Sequence, residues 1–260
     1  MSTQFQTQGQ LSVVVPAYNE EATLGAVVRK VLRLPHLLEV IIVDDASTDG
    51  TAAIAATLAQ QHEQVRVLTL NQNRGKSQAV ITGIAATRGG IVVIQDADME
   101  YDSNEIPELI QPILDGVADV VYGSRFLVRK AARVLYYYHY LANQLITFLS
   151  NLLTNINLSD VETGYKAFRG EIIRQMILNS TGFGFELEVT AKLAKLKCAI
   201  YEVPISYYGR TYEQGKKIGV ADAFQAIWFI IRYNLFCSLK GSYRTIPTIQ
   251  HAPWTAGSGT

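Results

Sequence analysis

Gln95-Asp96-Ala97-Asp98-Met99-Glu100 sets three carboxylates close together, directly after the apolar run Ile91–Ile94. An aliphatic run ending in closely spaced acids reads as a buried strand that delivers them to an open sheet edge. Side chains alternate along a strand, so Asp96, Asp98 and Glu100 are expected on one side. Three hard oxygen ligands at one point suit Mg²⁺ or Mn²⁺, held together with the phosphates of a substrate. The plainer alternative is an acidic turn after a strand. These six residues alone leave the two readings about even.

Other loops add weight. Pro16-Ala17-Tyr18-Asn19-Glu20 follows an apolar run. Asn19 reads as a helix cap, while Tyr18 and Glu20 are placed to stack on a base and accept its hydrogen bonds. Asp44-Asp45 ends a second run, and adjacent buried acids repel each other unless something pairs with them. One is a candidate cap, alongside Ser47 and Asp49; the other can accept the N–H of a nucleobase. Asn73-Arg74-Gly75-Lys76-Ser77 resembles the end of a Walker A loop, but counting back from Gly75 reaches Leu70 where that motif needs glycine. A short glycine turn at a helix N-terminus still meets an anion, so Gly75 and Lys76 are expected beside a diphosphate. Gly123-Ser124-Arg125 precedes Arg129, Lys130 and Arg133, and a second basic group holds Arg210, Lys216 and Lys217. A solvated charge run is the commoner meaning of such groups; facing one crevice, they suit a substrate with several phosphates.

Those loops need a frame. Apolar runs at Leu11–Val15, Val40–Val43, Val65–Leu70 and Ile91–Ile94 alternate with helical periodicity over Glu21–Leu34, Thr51–Gln61 and Ser77–Thr87. A helix over Asn104–Leu114 and a strand over Asp119–Tyr122 follow. This alternation predicts right-handed crossovers and a mostly parallel α/β sheet flanked by helices. Ligands of such sheets bind beyond the carboxyl ends of the strands, where all the unusual loops fall.

The second half differs. Val134–Ser159 contains no Asp, Glu, Lys or Arg, yet Leu141, Leu145, Phe148, Leu152 and Ile156 share one helical stripe, with Asn143, Thr147, Ser150 and Asn151 opposite. It reads either as a helix packed into the core or a dimer seam, or as an interfacial helix guiding a lipid tail. Further helices are expected over Ile172–Leu178, Glu186–Lys195 and Asp222–Leu235, with a strand near Ala199–Tyr207. One domain over residues 11–210 is expected, after a flexible 1–10. A basic loop and amphipathic helix occupy 211–240, and a flexible tail 241–260.

Composition bounds the partners. In 260 residues, hydrophobic types make up 48% and charged types 18%, enough for a large core. Lys+Arg and Asp+Glu both total 23, so nothing draws the chain to nucleic acid. Cys198 and Cys237 form no C-x-x-C pair, and a reduced, cytoplasmic setting is expected. The polar start Met1–Gln10 does not read as a signal peptide, and no run reaches the roughly 20 apolar residues of a membrane span. The expected placement is cytoplasmic, with peripheral contact to the membrane's cytoplasmic face.

In order, Val-Pro-Ala-Tyr-Asn-Glu, Val-Asp-Asp-Ala-Ser-Thr-Asp-Gly-Thr, Asn-Arg-Gly-Lys, Asp-Ala-Asp and Gly-Ser-Arg resemble the family-two glycosyltransferases of the GT-A fold, over roughly residues 11 to 240. Thr163-Gly-Tyr-Lys-Ala-Phe-Arg169 and Gly215-Lys-Lys-Ile218 are similar to the dolichol-phosphate mannose synthase branch and its bacterial polyprenyl-phosphate relatives. The resemblance implies that Pro16, Tyr18, Glu20, Val43 and Asp45 hold the nucleoside, with Asp96 and Ala97 against the nucleotide. Asp98, Glu100 and the diphosphate would hold the metal, Asp96 contributing directly or through water. Many relatives carry Gln where this chain has Glu100. Arg125, Arg133, Arg210 and Lys216 would face the phosphates of donor and acceptor.

The implied reaction moves a hexose, most simply mannose from GDP-mannose, to a polyprenyl phosphate with inversion. An anionic acceptor oxygen needs no general base, so the basic residues position two repelling phosphates. A second reading uses a UDP-sugar and a polysaccharide or soluble hydroxyl acceptor, with Glu186 as the candidate base. A third is a nucleotide-binding protein without turnover, against which the acid pair argues.

Overall fold

A computed structural model describes residues 9–127, 136–182, 184–209 and 220–249. Its strands are β1 (Leu11–Ala17), β2 (Leu37–Asp44), β3 (Val65–Thr69), β4 (Ile91–Ile94), β5 (Val120–Ser124), β6 (Lys166–Arg169) and β7 (Ile200–Pro204). The helices are α1 (Leu24–Val31), α2 (Thr51–Gln61), α3 (Lys76–Ala86), α4 (Ile106–Leu114), α5 (Tyr137–Thr154), α6 (Gly170–Gln175), α7 (Phe185–Leu196), α8 (Val220–Leu235) and α9 (Leu239–Ser242).

The seven strands form one sheet in the order β3-β2-β1-β4-β6-β5-β7. Unbroken apolar runs suit strands covered on both faces. Alternate residues accordingly feed two cores: Val14, Ile41 and Val92 pack on one face, Val13, Val40 and Val93 on the other. Each such side chain contributes about 1.5–3 kcal/mol when fully buried. The mostly parallel sheet expected from the strand–helix alternation is the one observed.

One strand escaped that pattern. β6 is only four residues long and runs antiparallel to both β4 and β5, pairing Phe168 with Val92 and with Val120. Its reversed direction puts its amino end at the carboxyl ends of its neighbours. The segment Asp160–Tyr165 therefore arrives at the same sheet edge as the acidic loop after β4.

Two further differences have local causes. The helix expected from Glu21 starts only at Leu24. Asn19 does not cap it: this residue has φ 55°, and its Oδ1 accepts the Thr48 amide at 2.8 Å. Residues 241–244, read as the start of a loose tail, are anchored. Ser242 and Tyr243 are buried, the Tyr243 hydroxyl donates to the Lys192 carbonyl at 3.0 Å, and the Arg244 amide donates to the Gln175 carbonyl at 2.8 Å.

Helix α5 is amphipathic in the inverse sense. Its polar residues Asn143, Thr147 and Ser150 face the protein, with Thr147 only 3% exposed. Their groups are satisfied: Asn143 donates toward Asp160 at 3.5 Å, and Thr147 Oγ1 accepts the Val161 amide at 3.3 Å. The apolar stripe points outward, with Phe148 60% and Leu152 65% exposed. Ile156 lies beyond the helix, after a left-handed Asn155, and packs against the core. Helix α8 packs beside α5 and exposes Phe224, Trp228 and Leu235, followed directly by exposed Phe236. Among the described residues, no helix is long and apolar enough to cross a membrane.

Candidate active site

Sheet register decides which loops meet. Ala17 lies opposite Asp44, Asp44 opposite Thr69, and Val14 opposite Ile94, so the loops after β1 to β4 leave one edge together. Pro16, Val43, Asp45 and Ala97 are buried there, Glu20, Lys76, Asp96 and Asp98 are half-buried, and Tyr18 is exposed. The first two loops are stitched to each other: Glu20 N–H donates to Thr51 Oγ1 at 2.8 Å, and Gly50 N–H to Glu21 Oε2 at 2.8 Å.

The adjacent acids have structural partners. Asp44 Oδ1 accepts the Ser47 amide at 3.1 Å. Asp45 accepts the amides of Arg74 at 2.8 Å and Gly75 at 2.7 Å, one on each oxygen. That holds the Asn73–Lys76 turn under the crevice and leaves each oxygen a second lone pair. Gly75 has φ 85°, a left-handed backbone that a side chain would strain, and Lys76 opens α3 directly after it.

Lys76 Nζ lies 2.8 Å from both carboxylate oxygens of Asp96 and 3.9 Å from Glu186 on α7. Burial opposes its charge, but Asp96 and then Glu186 outweigh that and raise its pKa. The backbone of Gly164, just before β6, closes over this pair. A Cβ at that position would sit 2.9 Å from Asp96 Oδ2 and 3.2 Å from Lys76 Nζ, so a side chain there would push on both partners of the pair.

The acids after β4 do not alternate as a strand would place them. β4 ends at Ile94, and Met99 takes a left-handed φ of 62°. Asp98 Oδ1 accepts the Glu100 amide at 3.0 Å within that turn. Glu100 is drawn aside, its Oε2 accepting the Tyr207 hydroxyl at 2.7 Å. Among the described residues, no group of three or more His, Cys, Asp or Glu side chains could hold a metal ion. Asp96 and Asp98 remain as two partly buried hard donors. They fit Mg²⁺ or Mn²⁺ sharing its other positions with phosphate oxygens and water.

Arg125, after β5, is fixed by a buried acid. Its Nε and Nη2 donate to the two Asp160 oxygens at 2.6 and 2.7 Å. The guanidinium also lies 5.2 Å from the centre of the Tyr207 ring. Burial opposes its charge, yet Asp160 holds its pKa well above the usual arginine value. Two residues on, Glu162 has a pKa raised to about 7, by burial first and then by the charge of Glu186. Lys166, at the start of β6, is fully buried, which lowers its pKa to about 8, and it donates to the Val161 carbonyl at 3.1 Å.

The profile of "Glycosyl transferase family 2" matches residues 12–177. The chain belongs to that family. The undecaprenyl-phosphate mannosyltransferase of Micrococcus luteus is 30% identical over 238 residues, covering 88% of this chain and 95% of its own. The polyprenol monophosphomannose synthase of Mycolicibacterium smegmatis is 28% identical over 216 residues, 80% of each chain. These relatives support the dolichol-phosphate mannose synthase-like branch. In solved structures, the glucosyl-3-phosphoglycerate synthase of Mycobacterium tuberculosis shares the fold with a TM-score of 0.67 at 22% identity, over 88% of this chain and 82% of that one. The same enzyme in complex with Mn²⁺, uridine diphosphate and phosphoglyceric acid gives 0.65 at 23% identity, covering 86% of this chain and 78% of that one.

In this glycosyltransferase the expected donor-side residues Pro16, Tyr18, Glu20, Val43, Asp45, Lys76, Asp96, Ala97 and Asp98 thus share one edge. Arg125 joins them from β5. Arg133, Arg210 and Lys216 lie outside the described residues, as do Arg129, Lys130 and Lys217. Sequence reasoning did not single out Asp160, Glu162 or Tyr207. Their one available signal was position, since Asp160 and Glu162 directly precede the Thr163–Arg169 motif.

Glu162 carries a pH signature. A carboxyl whose folded pKa exceeds its ordinary 4.5 holds a proton that the unfolded chain has released. Its penalty is absent below that ordinary value and grows as pH rises toward about 7, then levels off. Glu162→Gln is therefore expected to flatten that part of the Tm-against-pH curve and to raise Tm relative to wild type above neutrality. Parallel curves for the two proteins across this window would remove the assignment.

Proposed function

We propose that this glycosyltransferase moves a hexose, mannose from GDP-mannose, to the phosphate of a polyprenyl phosphate at the cytoplasmic face of a membrane. The observation that carries the reading is helix α5. Its inner polar face reaches the Asp160–Arg125 pair through Asn143, while its outer face is apolar and exposed. One helix thus links a phosphate-reading arginine to a surface suited to acyl or isoprenoid chains. The relatives named for undecaprenyl-phosphate and polyprenol substrates support the same acceptor class.

The chemistry follows from charge. The donor's nucleoside lies over the β1 and β2 loops, with Tyr18 exposed for stacking and Glu20 and Asp45 offering carboxylate oxygens. Its diphosphate meets Lys76 and the amino end of α3. Asp96 and Asp98 would hold the divalent ion, which supplies Lewis-acid stabilisation to the leaving nucleoside diphosphate. Arg125 lines the acceptor phosphate up against the anomeric carbon; Arg133, Arg210 and Lys216 are assigned to the same phosphates. The phosphate oxygen is already anionic, so it attacks without a base, in one displacement with inversion.

A second reading takes a UDP-sugar and a hydroxyl acceptor. Glu186 and Glu162, both turned toward the Lys76–Arg125 region, supply candidate bases for it. Turnover with labelled GDP-mannose, UDP-glucose and UDP-mannose, with and without polyprenyl phosphate in phosphatidylcholine vesicles, separates the two. The proposal expects label in lipid of inverted anomeric configuration, from GDP-mannose only with the lipid acceptor present, and protein that floats with the vesicles. Phe148→Glu with Leu152→Glu should abolish flotation. Transfer to a soluble hydroxyl, a retained configuration, or protein remaining wholly in the soluble fraction would overturn it.

A further inference from the structure

We propose that Lys76 is a resident counter-cation, seated on Asp96 until the divalent ion and donor arrive together, and then transferred to Glu186 and the donor diphosphate. The inference rests on the metal-dependent reading above. Its basis is the pairing geometry. The ammonium straddles Asp96, 2.8 Å from each oxygen, so both oxygens are engaged until it moves. Glu186 offers a second seat 3.9 Å away, on a side chain itself only 10% exposed. The Gly164 backbone walls the pair on another side, which narrows the directions Lys76 can take.

Charge favours an order of events. A bare divalent ion approaching Asp96 meets a fixed positive charge at close range, which repels it. An ion already chelated by a nucleoside diphosphate arrives as an anionic complex. Its charge would draw the lysine off Asp96 and leave that carboxylate to hold the ion. The lysine remains neutralised throughout, because a largely desolvated ammonium without a partner is costly. The site is therefore selective for the complex over free metal, and the lysine side chain is the discriminating element.

The test measures Mn²⁺ binding by the electron paramagnetic resonance of free Mn²⁺, with and without guanosine diphosphate, on the full chain. Lys76→Met is expected to bind Mn²⁺ alone about tenfold more tightly than wild type, whereas Lys76→Arg, which keeps the charge, stays weak. Glu186→Gln retains the Lys76–Asp96 pair and removes the second seat. It is expected to weaken binding of the Mn²⁺–diphosphate complex several-fold, and it carries the test should Lys76→Met fail to fold. Equal Mn²⁺ affinity in folded Lys76→Met and wild type, or unchanged complex binding in Glu186→Gln, would overturn the proposal. Asp96→Asn separates the two levels. If it binds the complex as wild type does, the metal reading itself fails; if it loses binding while the lysine variants stay unchanged, only the exchange fails.

Discussion

Asp98→Ala is expected to fold as the parent does and to lose at least about 10²–10³-fold in turnover, the scale on which charge-stabilising groups at a leaving group act. The fold is insulated from the change. Asp98 sits half-buried in a turn outside β4, where its Oδ1 accepts the Glu100 amide within the same turn. The chemistry is not insulated. With Asp98 gone, Asp96 is left as the other carboxylate proposed to hold the ion, and Lys76 already covers it. The leaving diphosphate then departs with less compensation for its developing charge. Initial rates with labelled donor, beside circular dichroism of the same preparation, give the answer. Near-normal turnover at saturating Mn²⁺ would remove the metal-holding role of this residue.

Asp160→Ala is expected to strike stability and turnover at once. The Asp160 side chain is fully buried, that of Arg125 13% exposed, and the pair is joined by two short, parallel bonds. Removing one partner of such a pair strands the other charge and costs about 3–5 kcal/mol. For a chain of this size that lowers Tm by roughly 10 °C. Asn143 also loses its acceptor, so the inner face of α5 is left with an unpaired amide. The same change frees Arg125 to leave the position from which we propose it meets the acceptor phosphate, so the KM for the acceptor should rise along with the fall in Tm. A variant with unaltered Tm would show that the pair contributes little, and one with unaltered KM would separate Arg125 from acceptor binding.

The periodic parts of this fold were readable because burial on both faces demands continuous apolar runs. Leu11–Val15, Val40–Val43 and Ile91–Ile94 could be located from that demand alone. β6 was not readable: Lys-Ala-Phe-Arg is too short to show a period, and its direction is set by tertiary pairing with Val92 and Val120. The donor side of the site was legible because its residues cluster at strand ends. The arrangement within the cluster was not. Asp96 and Glu100 share a parity in sequence, but a left-handed Met99 turns the chain before Glu100 and hands its carboxylate to Tyr207. Asp44-Asp45 suggested a ligand by mutual repulsion, whereas backbone amides from Ser47, Arg74 and Gly75 supply partners from inside the protein. The apolar stripe of α5 was visible too, but a stripe does not say which side it faces. Buried Asp160 decides that, by drawing the Asn143 side inward.

The reversed strand also sets a schedule for synthesis. β4 pairs with β1 on one flank, but its other flank stays open until Lys166–Arg169 has left the ribosome, about 70 residues later. At 5–20 residues per second, a growing polypeptide carries that bare rim for roughly 4–14 s. An unpaired apolar strand is a template for sticking to other chains. Recombinant yield should therefore depend on temperature and on codon choice across this interval, and on chaperones that shield the rim until its mate emerges.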